Sequence, residues 1–194
     1  MKYLIVGLGN VGKEYELTRH NIGFRVLDAL ANASNTIFEL DRYAFKTTIK
    51  YKGKSLILIK PSTYMNLSGK AVKYWSNKEN ISTQNIFVVV DDIALPFGTI
   101  RIRAGGSNGG HNGLSNIDEI LESNHYPRLR FGIGNNFPKG KQADYVLSPF
   151  LPEEEKVLPF YIETMKNAIL SFVSNGIQHC MNEYNRYIFP PEDK

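Results

Sequence analysis

The sequence predicts an α/β fold: a single three-layer domain over residues 1–194, with a mixed, mainly parallel central sheet flanked by helices. Three observations carry that expectation. Short, dense apolar runs of strand length recur along the chain (KYLIVGL, SLILIK, IFVVVDD), and segments with a helical period fall between them. One pair of runs, FKTTIKY and SLILIK, flanks Lys52-Gly53 and reads as a hairpin, so antiparallel pairing is present too. No internal repeat or linker interrupts the pattern.

In chain order, KYLIVGL is a short buried strand, and residues 22–33 form an amphipathic helix (Phe24, Val26, Leu27, Leu30) with Asn21 as its cap. After the hairpin, LSGKAVKYWSNK is a helix presenting Leu67, Val72 and Trp75 to the core. IFVVVDD is a fully buried strand ending in two carboxylates. TIRIRA alternates apolar and basic residues, the pattern of a strand with one wet face. GGSNGGHNG makes a glycine-rich loop, LSNIDEILES a helix, and RLRFGIG another strand. Residues 135–151 read as loop, and 152–187 as mostly helical with a break or kink near Pro159.

A hydrophobic fraction of 42% is ordinary for a soluble globule, and no run reaches the roughly 18 apolar residues of a membrane span. KYLIVGLGN is too short and too glycine-broken for a secretory signal. The lone Cys180 excludes an internal disulfide and supplies no zinc cluster. A cytoplasmic protein is expected. The net charge is +4, and residues 152–163 carry four acids against one lysine, leaving the remainder strongly basic. Such a balance suits a polyanionic partner.

GLGNVG, residues 7–12, has the spacing of a dinucleotide-binding turn, but the features that should follow are missing. No helix opens at Gly12, and the acid at the right distance, Asp28, falls inside a helix. An NAD-dependent oxidoreductase is therefore the weaker enzymatic reading. Four polar clusters instead follow strands: GLGN with TRHN, PSTYMN, VDD, and GGSNGGHNG. Gathered at the carboxyl ends of a sheet, they would put His20, Asp91 or Asp92, and the amides Asn10, Asn66 and Asn112 in one cleft. An imidazole suits a general base at neutral pH, and a carboxylate can fix its ring. His111 is a rival base. No serine, threonine or cysteine stands in a nucleophile motif, which leaves water as the nucleophile, and no ligand spacing calls for a metal. Side-chain amides or loop N–H groups would stabilise an oxyanion. Arg101 with Arg103, and Arg128 with Arg130, share strand faces that could meet phosphates, with Lys139 and Lys141 nearby. Tyr15 and Tyr64 could pack on ribose or base. A non-catalytic RNA-binding module would explain the charge but not the His, Asp and Asn cluster.

GLGN with YxxTRHNxGF, TYMNLSGKAV, VDD with LPFG, and GGSNGGHNGL with RLRFGIG together resemble the bacterial peptidyl-tRNA hydrolases over essentially the whole chain. The resemblance implies a monomeric cytoplasmic enzyme without metal or cofactor that hydrolyses the ester joining a peptide to the 3′ end of tRNA. It implies His20 as the base on water and Asp91 as its supporting carboxylate. Asn10 would distinguish an acylated amine from a free one. Asn66 and Asn112 would bind peptide backbone and scissile region, and Tyr15 and Tyr64 would line the cleft. A late helix-and-loop region would partly cover it. Three positions depart from the family pattern: Val11 stands where proline is usual, and Val90 and Ala94 replace polar neighbours of the carboxylate.

Overall fold

The computed structural model describes residues 1–191. Seven strands form one sheet: β1 (Lys2–Gly7), β2 (Glu39–Asp41), β3 (Ala44–Tyr51), β4 (Lys54–Pro61), β5 (Ile86–Asp92), β6 (Ile100–Arg103) and β7 (Arg128–Gly132), in the spatial order β2-β3-β4-β1-β5-β7-β6. The four inner strands β4, β1, β5 and β7 run parallel, while β3, β2 and β6 are antiparallel to their neighbours. Parallel strands need both faces covered, and the burial of the central runs follows suit. Along β1, Tyr3 and Ile5 pack on one face, against helix α1 (Ile22–Ala33) and the long α5 (Pro152–Asn175). Leu4 and Val6 pack on the other, against α2 (Ser68–Glu79) and α3 (Asn112–Leu121). The alternation is that of any strand, so one apolar run serves two cores.

Several expectations change in detail. Leu67 is substantially exposed, and Val72 and Trp75 alone of that trio are core residues. A short helix α4 (Gln142–Val146) lies within the stretch read as loop. Helix α5 continues unbroken past Pro159, and the break comes instead at Gly176 (φ +87°), where α6 (Ile177–Tyr184) begins. The proline forgoes one helical hydrogen bond, but Leu158, Tyr161 and Met165 around it are all buried. The acidic segment is the first turn of α5. Pro152 suits the first helical position, and the carboxylates of Glu153–Glu155 favour the helix N-terminus. Glu154 accepts from the backbone N–H of Leu151 (2.8 Å). Glu155 takes a two-pronged bond from Arg25 (2.7 and 3.1 Å), and Glu154 lies 3.7 Å from the buried Arg19. The negative stretch thus closes against α1 and the turn before it.

The glycines of GLGN are packing residues. A Cβ on Gly7 would stand 2.3 Å from the Gly23 carbonyl oxygen, and one on Gly23 would stand 2.5 Å from the Val89 oxygen. Helix α1 therefore meets the end of β1 and the middle of β5 at backbone contact. It starts ten residues after Gly12, beyond two 3₁₀ turns (Lys13–Tyr15 and Arg19–Asn21). No helix N-terminus opens at the glycine turn to receive a pyrophosphate, and the dinucleotide reading falls on that geometry.

Candidate active site

The carboxyl ends of the inner strands open into a cleft of about 820 Å³. Asn10 after β1, Tyr64, Met65 and Asn66 after β4, Asp91 at the end of β5, and His111 and Asn112 at the start of α3 all line it. His20 joins them from its 3₁₀ turn, and α4 contributes the opposite wall through Ala143 and Val146. Arg19, buried next to His20, ties the two sides together. Its guanidinium donates to Ser148 Oγ (2.5 Å) and the Tyr145 carbonyl (3.3 Å), and stacks 4.1 Å above the Tyr145 ring.

Asp91 lies between two imidazoles. His20 Nδ1 is 2.9 Å from both of its oxygens, and His111 Nε2 is 3.0 Å from Oδ1. The tautomers follow from the other partners. His111 Nδ1 accepts from the backbone N–H groups of Gly113 (3.1 Å) and Leu114 (3.3 Å), so the hydrogen of that ring sits on Nε2 and is donated to Asp91. Burial alone would raise the Asp91 pKa, but the charges and hydrogen bonds of the two rings outweigh it and hold the carboxyl well below the usual carboxylate range. An ionised carboxylate only accepts, so His20 donates through Nδ1. His20 Nε2 is left with a free lone pair and no protein hydrogen bond among the described residues. Burial works to lower the His20 pKa, yet the adjacent Asp91 charge and hydrogen bond prevail and raise it. Donor atoms of the three side chains lie within 4.8 Å of one another. With His111 presenting N–H and not a lone pair, they form a hydrogen-bond relay better than a cation site.

Asp92 leaves the strand on the opposite face from Asp91, as successive strand residues must, and borders the cleft without reaching His20. Its Oδ1 accepts from the Ala94 N–H (2.8 Å), closing the turn, and Oδ2 faces Arg130 at 3.6 Å. Of the two carboxylates, Asp91 is the one that meets His20. His111 is brought in as a second partner of that carboxylate, with both ring nitrogens engaged, and not as a free base. Asn21 makes no side-chain cap on α1. Its amide instead accepts from the Asn10 N–H (2.8 Å) and donates to the Asn10 carbonyl (2.9 Å), fixing the backbone of the turn and leaving the Asn10 side chain to the cavity. Tyr64 stands exposed at the mouth, and Asn66 and Asn112 are exposed on the lining. Tyr15 lines no part of the cleft; its carbonyl closes the turn by accepting from Thr18 N–H (3.1 Å) and Oγ1 (2.9 Å). Cys180 is remote from these groups in α6, and burial, the largest influence, pushes its thiol up to about 12.

The four arginines separate. Arg103 is exposed and Arg101 partly so, on the edge strand β6, and Arg130 lines the cleft. Arg128 is fully buried and unavailable to phosphate. It donates to the carbonyls of Asn124 (2.7 Å) and Gly106 (3.1 Å) and stacks 4.1 Å over Tyr126. Tyr126 in turn donates to Asp118 (2.7 Å) on α3. Arg128 is thus a strut under the glycine-rich loop that leads to His111. Arg128→Met is expected to lower folding stability by about 3 kcal/mol, because it strands buried carbonyls. Denaturant unfolding measures this, and a loss below 0.5 kcal/mol on the usual surface scale would contradict the strut.

A family model described as peptidyl-tRNA hydrolase matches residues 4–192. A peptidyl-tRNA hydrolase of Cytophaga hutchinsonii is 55% identical over 185 residues, covering 95% of this chain and 98% of that one. One from Bacteroides fragilis is 56% identical, covering 96% and 100%. The crystal structure of peptidyl-tRNA hydrolase from Acinetobacter baumannii superposes with a TM-score of 0.90 at 33% identity, covering 95% of both chains. With the fold, the cleft and these likenesses in agreement, the chain belongs to the peptidyl-tRNA hydrolase family.

Proposed function

We propose that this chain hydrolyses the ester between peptide and tRNA with His20 as general base and Asp91 as the carboxylate that holds it. The observation that carries the reading is the His20 ring itself: Nδ1 tied to a buried carboxylate, and Nε2 free at the wall of an open, amide-lined cleft. Water attacks the ester carbonyl as Nε2 takes its proton, and Asp91 stabilises the imidazolium that results. The side-chain amides of Asn66 and Asn112 supply donors for the oxyanion. The intermediate collapses with cleavage of the carbon–oxygen bond, and the proton held on His20 passes to the departing ribose oxygen. The products are a peptide carboxylic acid and tRNA with a free 3′-terminal hydroxyl. Asn10, with its backbone clamped by Asn21, presents a neutral amide that suits an acylated amine better than a free ammonium. A substrate made in translation supports a cytoplasmic location for this work. No helix among the described residues is long and apolar enough to cross a membrane.

The test is direct. The protein is incubated with an N-blocked aminoacyl-tRNA, and free tRNA and released acid are measured together. Tight binding without release would make it an RNA-binding module and overturn the reading.

We assign the phosphate contacts to Arg101, Arg103 and Arg130, the last of which lines the cleft together with Lys139. Arg103→Ala is expected to weaken binding similarly for all tRNAs and to flatten the log affinity versus log salt slope by somewhat less than one unit. Binding across a salt series checks this, and an unchanged slope would remove Arg103 from the interface.

A further inference from the structure

In the hydrolytic reading above, Asn66 and Asn112 share the oxyanion, so the spacing of the two amides matters to the reaction. Both are exposed on the cleft lining, and neither side chain is held by a protein hydrogen bond among the described residues. Their placement therefore falls to the backbone beneath them. Asn66 sits in a 3₁₀ turn (Met65–Leu67) that runs directly into α2, and Asn112 is the first residue of α3. Whatever fixes the start of α2 against α3 fixes the two amides against each other.

Two close contacts make that joint. Gly113 of α3 packs on the turn, where an added Cβ would stand 2.8 Å from Met65 Sδ. Gly69 of α2 packs on Asn116, where an added Cβ would stand 2.7 Å from the Asn116 carbonyl oxygen. The second contact is also polar: the Gly69 backbone N–H donates to Asn116 Oδ1 (2.8 Å). That N–H belongs to the group that every helix leaves unpaired at its start. Helix α2 has no cap of its own, because Leu67 occupies the cap position and offers no accepting side chain. The acceptor comes from the neighbouring helix instead, one turn along α3 from Asn112. Gly69 is buried, so loss of that acceptor would strand its N–H.

We propose that Asn116 is a positioning residue for the hydrolysis: it caps α2 from α3 and so holds Asn66 and Asn112 at the spacing the oxyanion requires. The proposal rests on the hydrolytic reading and deepens it, since Asn116 itself lines no part of the cleft. Preorganised donors act by being already in place where charge develops, and small displacements are costly. The charge exists only beyond the ground state, so the effect belongs to kcat and not to KM.

The experiment measures kcat and KM on N-acetyl-alanyl-tRNA for the wild type, Asn116→Ala, Asn116→Asp, Asn66→Ala and the double variant Asn66→Ala with Asn116→Ala. Asn116→Ala is expected to lower kcat about tenfold, a part of what a whole oxyanion donor is worth. KM and the affinity for uncharged tRNA should stay as in the wild type. Asn116→Asp keeps the acceptor, and its charge suits a helix start, so it should restore kcat. In the Asn66→Ala background the change at Asn116 should cost little more, because no pair of amides is left to align. An undiminished kcat in Asn116→Ala overturns the proposal, as does an Asn116→Asp variant equally slow. The same loss repeated in full in the Asn66→Ala background also overturns it, by marking a general loosening of the fold. Should Asn116→Ala fold poorly, Asn116→Ser replaces it under the same outcomes, since its oxygen is one bond nearer the backbone and falls short of Gly69. A fully active Asn66→Ala would remove the amide pair and the positioning role with it. Failure of the wild type to hydrolyse the substrate would instead sink the hydrolytic reading itself.

Discussion

Replacing His20 with alanine is expected to slow hydrolysis of peptidyl-tRNA by roughly 10²–10⁴-fold, the usual worth of a positioned general base. The protein should remain folded, because the His20 ring bonds only to Asp91 and its turn is held by other atoms. Backbone bonds from Arg19 N–H to the Ser148 carbonyl (3.0 Å) and from Asn21 N–H to the Thr18 carbonyl (3.1 Å) do not involve the ring. Affinity for tRNA should be nearly unchanged, since the arginines of β6 and β7 are untouched. Single-turnover hydrolysis and equilibrium binding, measured on the same preparation, separate the two effects. Full activity would transfer the role of base elsewhere, and His111 could take it only by releasing its hold on Gly113 and Leu114.

Asp91→Asn is expected to cost about 10³–10⁴-fold, comparable to the same change in a hydrolytic triad. An amide has one accepting oxygen where the carboxylate has two, and its NH₂ must face one of the two rings. Facing His20, it would demand a lone pair on Nδ1 and drive the hydrogen to Nε2, the atom that must accept from water. The pH profile gives a second reading of the same variant. A base works when neutral, so kcat/KM rises with pH through the His20 pKa, which Asp91 holds above its ordinary value. Without the carboxylate, the burial that lowers this pKa acts unopposed, and the rising limb should move to lower pH. A limb that stays in place would show that Asp91 does not govern the base. Asp92→Asn is the matched control and should have little effect on turnover, since Asp92 serves the turn at Ala94 and the side chain of Arg130.

The parts of this molecule that could be read from sequence are those where one residue's neighbours are set by local pattern. Dense runs such as IFVVVDD announce buried strands, and polar residues at strand exits converge because parallel sheets place those exits together. The gathering of His20, Asp91, Asn10, Asn66 and Asn112 in one cleft was reachable that way. Arg128 was not. RLR in β7 and RIR in β6 look alike, but β6 is the edge of the sheet and β7 lies inside it. The carbonyls that satisfy Arg128 come from residues 106 and 124, and nothing in the local alternation announces them. Asn21 misled for a related reason. It is a good capping residue in a capping position, yet its amide closes a ring with the Asn10 backbone eleven residues earlier. Pro159 looked like a helix break, and the burial around it overrode that local signal. β2 is three exposed residues with no apolar alternation to reveal it.

The ring of His111 has a consequence for which residues could ever replace it. Asparagine, aspartate and serine start helices as well as histidine does, but their polar atoms all sit at one tip, too short to reach Asp91 from the α3 amides. Glutamine carries its acceptor and its donor on the same terminal carbon, so it cannot face both partners at once. Tyrosine reaches but has a single polar atom. Only an imidazole offers an acceptor and a donor on different edges of one rigid plate. A substitution such as His111→Asn therefore preserves the opening of α3 and abandons the carboxylate, while no single substitution keeps both. Position 111 is a two-ended part with one admissible shape, and variation in the glycines just before it has to leave that plate where it is.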